Sequence, residues 1–171
     1  MLTPYVPYPP SSGGQVRTYN LLKYLSKNNK ITLVCLYKNK EEKKYYENLK
    51  NVCEKIYFCK RPYKPWTIKN ILKAVFSSKP FLIVRNYSSE AEILLKELLN
   101  KEKFDIIHAE TFYIMPHIPK TTIPIFLLEQ TIEYQVYQHF VNSLPFFIQP
   151  FLLIDILKLK KWEKKLLAKS N

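Results

Sequence analysis

Pro7-Tyr8-Pro9-Pro10-Ser11-Ser12-Gly13-Gly14-Gln15-Val16-Arg17 is the stretch on which the fold of this chain turns, because it holds both of the chain's glycines and runs straight into an amphipathic segment. A residue without Cβ can reach positive φ and lets another molecule come close to the backbone. A helix that starts there adds unpaired N–H groups and the positive end of its dipole, which together favour an anion such as phosphate. The same pair also reads as a tight turn before a helix.

Outward from this stretch the pattern alternates. Leu21, Leu22 and Leu25 recur at helical spacing, Asn28-Asn29-Lys30 ends that helix, and Ile31-Thr32-Leu33-Val34-Cys35-Leu36 is an apolar strand. Glu41 to Val52 reads as a polar helix, Lys55 to Cys59 as a short strand and Thr67 to Phe76 as a helix. Ser89 with Glu92 forms a capping-box pattern for the helix through Leu94, Leu95, Leu98 and Leu99. Two further buried strands are expected at Asp105–Ala109 and Ile123–Leu128, and Phe146–Lys169 reads as an apolar, then basic, helix.

Buried strands separated by helices imply an α/β fold, a Rossmann-like parallel sheet with helices on both faces. Ligands of such sheets bind beyond the carboxyl ends of the strands, which places His108, Glu110, Glu129 and Gln130 at suitable ends. The glycine loop should follow a central first strand. Only Met1-Leu2-Thr3 precedes the proline-rich segment, so that strand is expected to be very short, as if truncated.

Composition bounds the rest. A chain of 171 residues with 47% hydrophobic content fits one domain over 1–171, large enough to bury about 70% of its unfolded surface. The net charge of +13 admits anionic lipid, nucleic acid and phosphorylated substrates. No nucleic-acid-binding module is present, and the basic residues are dispersed. Cys35, Cys53 and Cys59 form no zinc spacing; their odd number points to buried thiols in a reducing cytosol, hence a cytoplasmic protein. The apolar tract Leu144–Leu157 is interrupted by Gln149, Pro150 and Asp155, short of the about 20 apolar residues that a spanning helix needs. Pro145–Leu153, followed by Lys158, Lys160, Lys161, Lys164 and Lys165, has the pattern of an anchor at an anionic membrane surface, or of a helix packed on the domain or on a partner domain. A dinucleotide-binding loop, a phosphate loop ending in Gly-Lys and paired metal-binding histidines are all missing from the sequence.

Three separated segments together resemble the N-terminal, acceptor-side domain of the family 4 glycosyltransferases, retaining enzymes with the two-domain GT-B fold. They are Thr3-Pro4-Tyr5 through Gly13-Gly14 with Arg17; Phe104-Asp105-Ile106-Ile107-His108-Ala109-Glu110; and Leu128-Glu129-Gln130-Thr131-Ile132-Glu133 through Tyr137, followed by Asp155, Lys158 and Trp162-Glu163. The resemblance implies that Gly13 and Gly14 lie near the donor's phosphates, that Arg17 is the basic residue frequent one turn into the helix, and that His108 or Glu110 holds a catalytic position beside the transferred sugar. Glu129, Gln130 and Glu133 match a substrate-binding segment that often reads Glu-His-Asn-Val-Glu, and Gln130 and Thr131 depart from it. It further implies a nucleotide sugar as donor substrate, a saccharide or lipid-linked acceptor, no cofactor, no metal and a C-terminal domain for which this chain has no room. The chain alone is therefore expected to be inactive. The alternative is a basic peripheral membrane module without catalysis, at the inner membrane face.

Overall fold

The computed structural model describes all residues except Pro65, Gln130, Ile148 and 169–171, and every other side chain except that of Phe151. Among the described residues five strands, β1 (Leu2–Thr3), β2 (Thr32–Tyr37), β3 (Lys55–Lys60), β4 (Ile107–Glu110) and β5 (Ile125–Leu128), form one sheet in the order β3-β2-β1-β4-β5. Every pairing is parallel. The fold is α/β and Rossmann-like, as the alternation of the sequence implies. β1 is short and central: Leu2 is in register with Val34 of β2 on one side and Ala109 of β4 on the other.

Alternate residues of β2 feed two cores. Leu33, Cys35 and Tyr37 pack with Leu22 of α1 (Gly13–Leu25) and Leu49 of α2 (Tyr46–Leu49), while Val34 and Leu36 face the opposite core. That second core draws on α4 (Phe81–Asn86), α5 (Ser89–Lys101) and α7 (Gln149–Leu167) through Leu82, Leu95, Leu98, Leu159 and Leu166. All three cysteines are buried free thiols, and burial pushes Cys53 and Cys59 up to about 12. Among the described residues no helix is long and apolar enough to cross a membrane.

Several sequence expectations shift. The polar helix over 41–52 is a 3-10 turn, Lys40–Tyr45, followed by the single turn of α2, because Glu42 folds back to accept the amides of Lys38 and Asn39. The cap of α5 is Ser88, not Ser89; its Oγ accepts from Ala91 N and donates to Lys60 O. Glu92 instead pairs with Tyr87 and Lys96. β5 is a sheet edge, with Phe126 47% exposed rather than buried.

The polar residues of α7 tie the second face together. Asp155 accepts the first amide of α4 at Phe81. Lys158 Nζ caps the end of α3 (Ile68–Val75) through the carbonyls of Ala74, Val75 and Ser77. Trp162 donates to Ser78 O, and the buried Glu163 accepts the first amides of α6 (Glu133–Asn142), from Glu133 and Tyr134. The contacts of Asp155, Lys158 and Glu163 satisfy helix-end groups that would otherwise be orphaned.

Candidate functional site

The path of the chain reverses between β1 and β4: β1, β2 and β3 run outward on one side, and the chain then crosses through α5 to β4 on the other. Crevices outside the carboxyl ends of strands at such a switch point are where open α/β sheets bind ligands.

One wall is the start of α1. Ser12 caps it by accepting from Gln15 N, and Gln15 Nε2 reaches back to Val6 O, pinning the proline-rich loop to the helix. Neither glycine has positive φ, so the conformational reason for the pair fails. Close approach explains one of them: a Cβ on Gly14 would lie 2.8 Å from Tyr5 Oη, which is hydrogen-bonded to the buried Thr18 Oγ1 at 3.0 Å. A Cβ on Gly13 would meet nothing within 4 Å. The amides of Gly13 and Gly14 have no acceptor among the described residues.

The floor is the end of β4. His108 and Glu110 point to the same face of the sheet, as the two-residue period of a strand requires. The Glu110 carboxylate is fully buried and accepts from Arg17 Nη1 at 3.1 and 3.3 Å, and its Oε1 lies 3.0 Å from His108 Nε2. The structure thus joins Arg17, His108 and Glu110, three of the expected site residues. Glu110 lies beneath the crevice, so its carboxylate orients its two partners. Arg17, with 38% of its side chain exposed, is the member that faces solvent. The ring of His108 packs edge-on against Phe126 at 5.1 Å.

The far wall is the end of β5. Glu129 Oε2 accepts from Phe112 N at 2.8 Å, while its buried Oε1 has no partner among the described residues. Burial, with Glu133, Glu163 and Glu110 nearby, raises the Glu129 carboxyl to about 7. A carboxyl poised there can take or give a proton at neutral pH. Glu133, also raised by burial, opens α6 and accepts from Thr131 Oγ1. Gln130 lies outside the described residues.

Thr111 and Glu163 also shape this site. Thr111, between Glu110 and Phe112, has φ 84 and ψ 147, a region that only glycine enters without strain. No residue type announces that strain. Glu163, quoted above as part of the third resembling segment, is buried and fixes the start of α6. His117, by contrast, is a core histidine: it donates from Nδ1 to Ile114 O, accepts from Ser88 N at Nε2, and is lowered by burial. Among the described residues no group of three or more His, Cys, Asp or Glu could hold a metal ion. Compared with known proteins, the chain matches no family model, no curated protein and no solved structure.

Proposed function

We propose that this chain is the acceptor-side half of a retaining glycosyltransferase of the GT-B type, moving a hexose from a nucleotide sugar to a saccharide or lipid-linked acceptor. The observation that carries this reading is the Arg17–Glu110–His108 cluster, which couples the glycine start of α1 to the end of β4 at the switch point. The free amides of Gly13 and Gly14 suit the leaving phosphate, and the open space over Gly13 leaves room for it. Arg17, held by a buried carboxylate, is preorganised to meet developing negative charge. His108 edges the crevice, and Glu129 supplies a carboxyl able to exchange a proton with an acceptor hydroxyl. A second domain must close over the crevice to exclude water and align donor with acceptor.

Incubation of this chain with nucleotide sugars and acceptors is expected to give no turnover. A sugar 1-phosphate should still bind weakly, at roughly millimolar affinity, and Arg17→Gln should weaken it. Turnover by the chain alone, or sugar-phosphate binding indifferent to Arg17, would overturn the reading.

A second reading, that of a surface for anionic membrane, has its own observation. α3 buries only Ala74, yet carries exposed Ile68, Ile71, Leu72 and Val75 and runs into exposed Phe76. Lys158 joins its end to α7, whose outer side exposes Leu153, Ile154 and Leu157 above the packed Leu159 and Leu166. Lys69, Lys73, Lys160, Lys161 and Lys164 are exposed on the same two helices, matching an anionic interface. The apolar anchor thus includes α3, which the sequence reading treated as an ordinary helix. The surface is compatible with a lipid-linked acceptor. Cosedimentation with phosphatidylglycerol vesicles at low salt, lost in Ile68→Ser/Phe76→Ser, is the expected result. Equal recovery with phosphatidylcholine, or none with either, would remove the membrane.

A further inference from the structure

Outside the crevice, the carboxyl ends of β2 and β3 and the end of α4 gather three cations, Lys38, Arg61 and Arg85. Arg61 N donates to Tyr37 O at 3.0 Å, which sets Lys38 and Arg61 side by side just past the paired strands. Nη1 of Arg61 donates to Asn86 Oδ1, while its Nε is buried without an acceptor. Arg85 precedes Asn86 on α4; its guanidinium lies over the Phe81 ring, 6.0 Å from the centroid, and among the described residues it has no hydrogen bond or ion pair. Glu42, whose charge acts on Lys38 and Arg61, accepts the backbone amides of Lys38 and Asn39, and the charges of Glu133 and Asp155 act on Arg85 without bonding to it. Among the described residues Lys38, Arg61 and Arg85 share no salt bridge with any carboxylate. Like charges held together and partly desolvated are unfavourable unless an anion joins them. In keeping with this, burial lowers both Lys38 and Arg61, with Arg85 adding to it in each case and Glu42 opposing it.

Lys38 lines an open depression of about 490 Å³ together with Tyr63, Lys64 and Trp66. Trp66 closes the circuit: its ring lies against Phe81, tilted by 32° with centroids 4.5 Å apart, and Phe81 carries Arg85. We propose that Lys38, Arg61 and Arg85 form an anion site that holds the phosphate of a phosphorylated ligand, with the depression and the Trp66 ring receiving the group that the phosphate carries. Arginine suits this task because its planar fork binds phosphate through two parallel N–H donors. The aromatic floor beside it gives a ring or chain somewhere apolar to lie. The site goes beyond the transferase reading and does not depend on it, since neither Arg17 nor Glu110 takes part.

The chain's two tryptophans make the test direct, because selective ¹⁵N-tryptophan labelling yields one indole signal each from Trp66 and Trp162. Titration with inorganic pyrophosphate and with glucose 6-phosphate should move the Trp66 signal saturably and leave that of Trp162 in place. Arg85→Gln, which removes no hydrogen bond of the fold, should weaken both ligands roughly tenfold to a hundredfold. Lys103→Gln, the same charge loss before β4, should leave them unchanged. Tighter binding of glucose 6-phosphate than of inorganic phosphate, titrated alongside, identifies a phosphosugar ligand; equal binding would overturn the role of the depression and of Trp66. A still Trp66 signal, full affinity in Arg85→Gln, or an equal loss in Lys103→Gln would overturn the site.

Discussion

Replacing each glycine by alanine should move stability in opposite directions. At Gly13 the backbone is already helical and a Cβ meets nothing, so alanine only restricts the unfolded chain. Gly13→Ala is expected to stabilise by about 0.4–1 kcal/mol. At Gly14 the added carbon lies 2.8 Å from Tyr5 Oη and 3.4 Å from Tyr5 Cζ, too close for the ring to stay. Overpacking of this kind costs about 1–3 kcal/mol, and losing the Tyr5–Thr18 bond adds about 0.5–1.5 kcal/mol because Thr18 is fully buried. After the same entropic gain, Gly14→Ala should destabilise by a net ~0.5–4 kcal/mol. Urea denaturation gives both values, with an unchanged slope as the sign that the folded states correspond. Tyr5→Phe removes the clashing oxygen, so it should cost less in Gly14→Ala than in the parent chain. Equal stability of the two alanine variants, or no coupling between positions 5 and 14, would refute the assignment of close approach to Gly14.

Other outcomes follow from single groups. Glu129, near 4.5 when unfolded and about 7 when folded, favours the folded state while neutral; that stability is whole below pH 4.5 and is lost as pH rises through 7. Glu129→Gln should therefore gain on the parent by about 1–2 kcal/mol between pH 4.5 and 8, a figure reduced for a half-buried site; a difference flat with pH in thermal melts would contradict this. Thr111→Gly should leave stability unchanged or raise it by up to ~1 kcal/mol in urea melts, because relief of strain offsets the lost side chain. A loss of several kcal/mol would show that the backbone there is unstrained. Glu163→Ala should cost about 1–3 kcal/mol by orphaning two buried amides, with hydrogen exchange at Glu133 and Tyr134 accelerating first. Uniform exchange would deny the capping role.

The sheet was legible because β2 and β3 are continuous apolar runs between helical periods, and because Gly13-Gly14 marks the first turn of a helix whose preceding strand must be central. The pairing of Arg17 with Glu110 was not legible. They are 93 positions apart, and only the register of β1 on β4 brings them together. His108 and Glu110 could be read as sharing a face, since a strand alternates, but the burial of Glu110 beneath Arg17 depends on where α1 crosses the sheet. α4 escaped notice because Phe81–Asn86 is short and takes its cap from Asp155, 74 positions away. The cation cluster at Lys38, Arg61 and Arg85 was hidden for the same reason, coming from two strand ends and that helix. Edge exposure of Phe126 reflects strand order, which local pattern does not carry.

The central claim is that a sugar phosphate sits on the start of α1. Selective ¹⁵N-glycine labelling of this chain gives two backbone signals, from Gly13 and Gly14, with no others to confuse them. Titrated with glucose 1-phosphate or a nucleotide sugar to roughly 10 mM, tenfold above a millimolar affinity, both signals should move along one saturable curve that Arg17→Gln shifts to higher concentration. Two signals that stay fixed throughout, while the protein remains folded, would contradict the account.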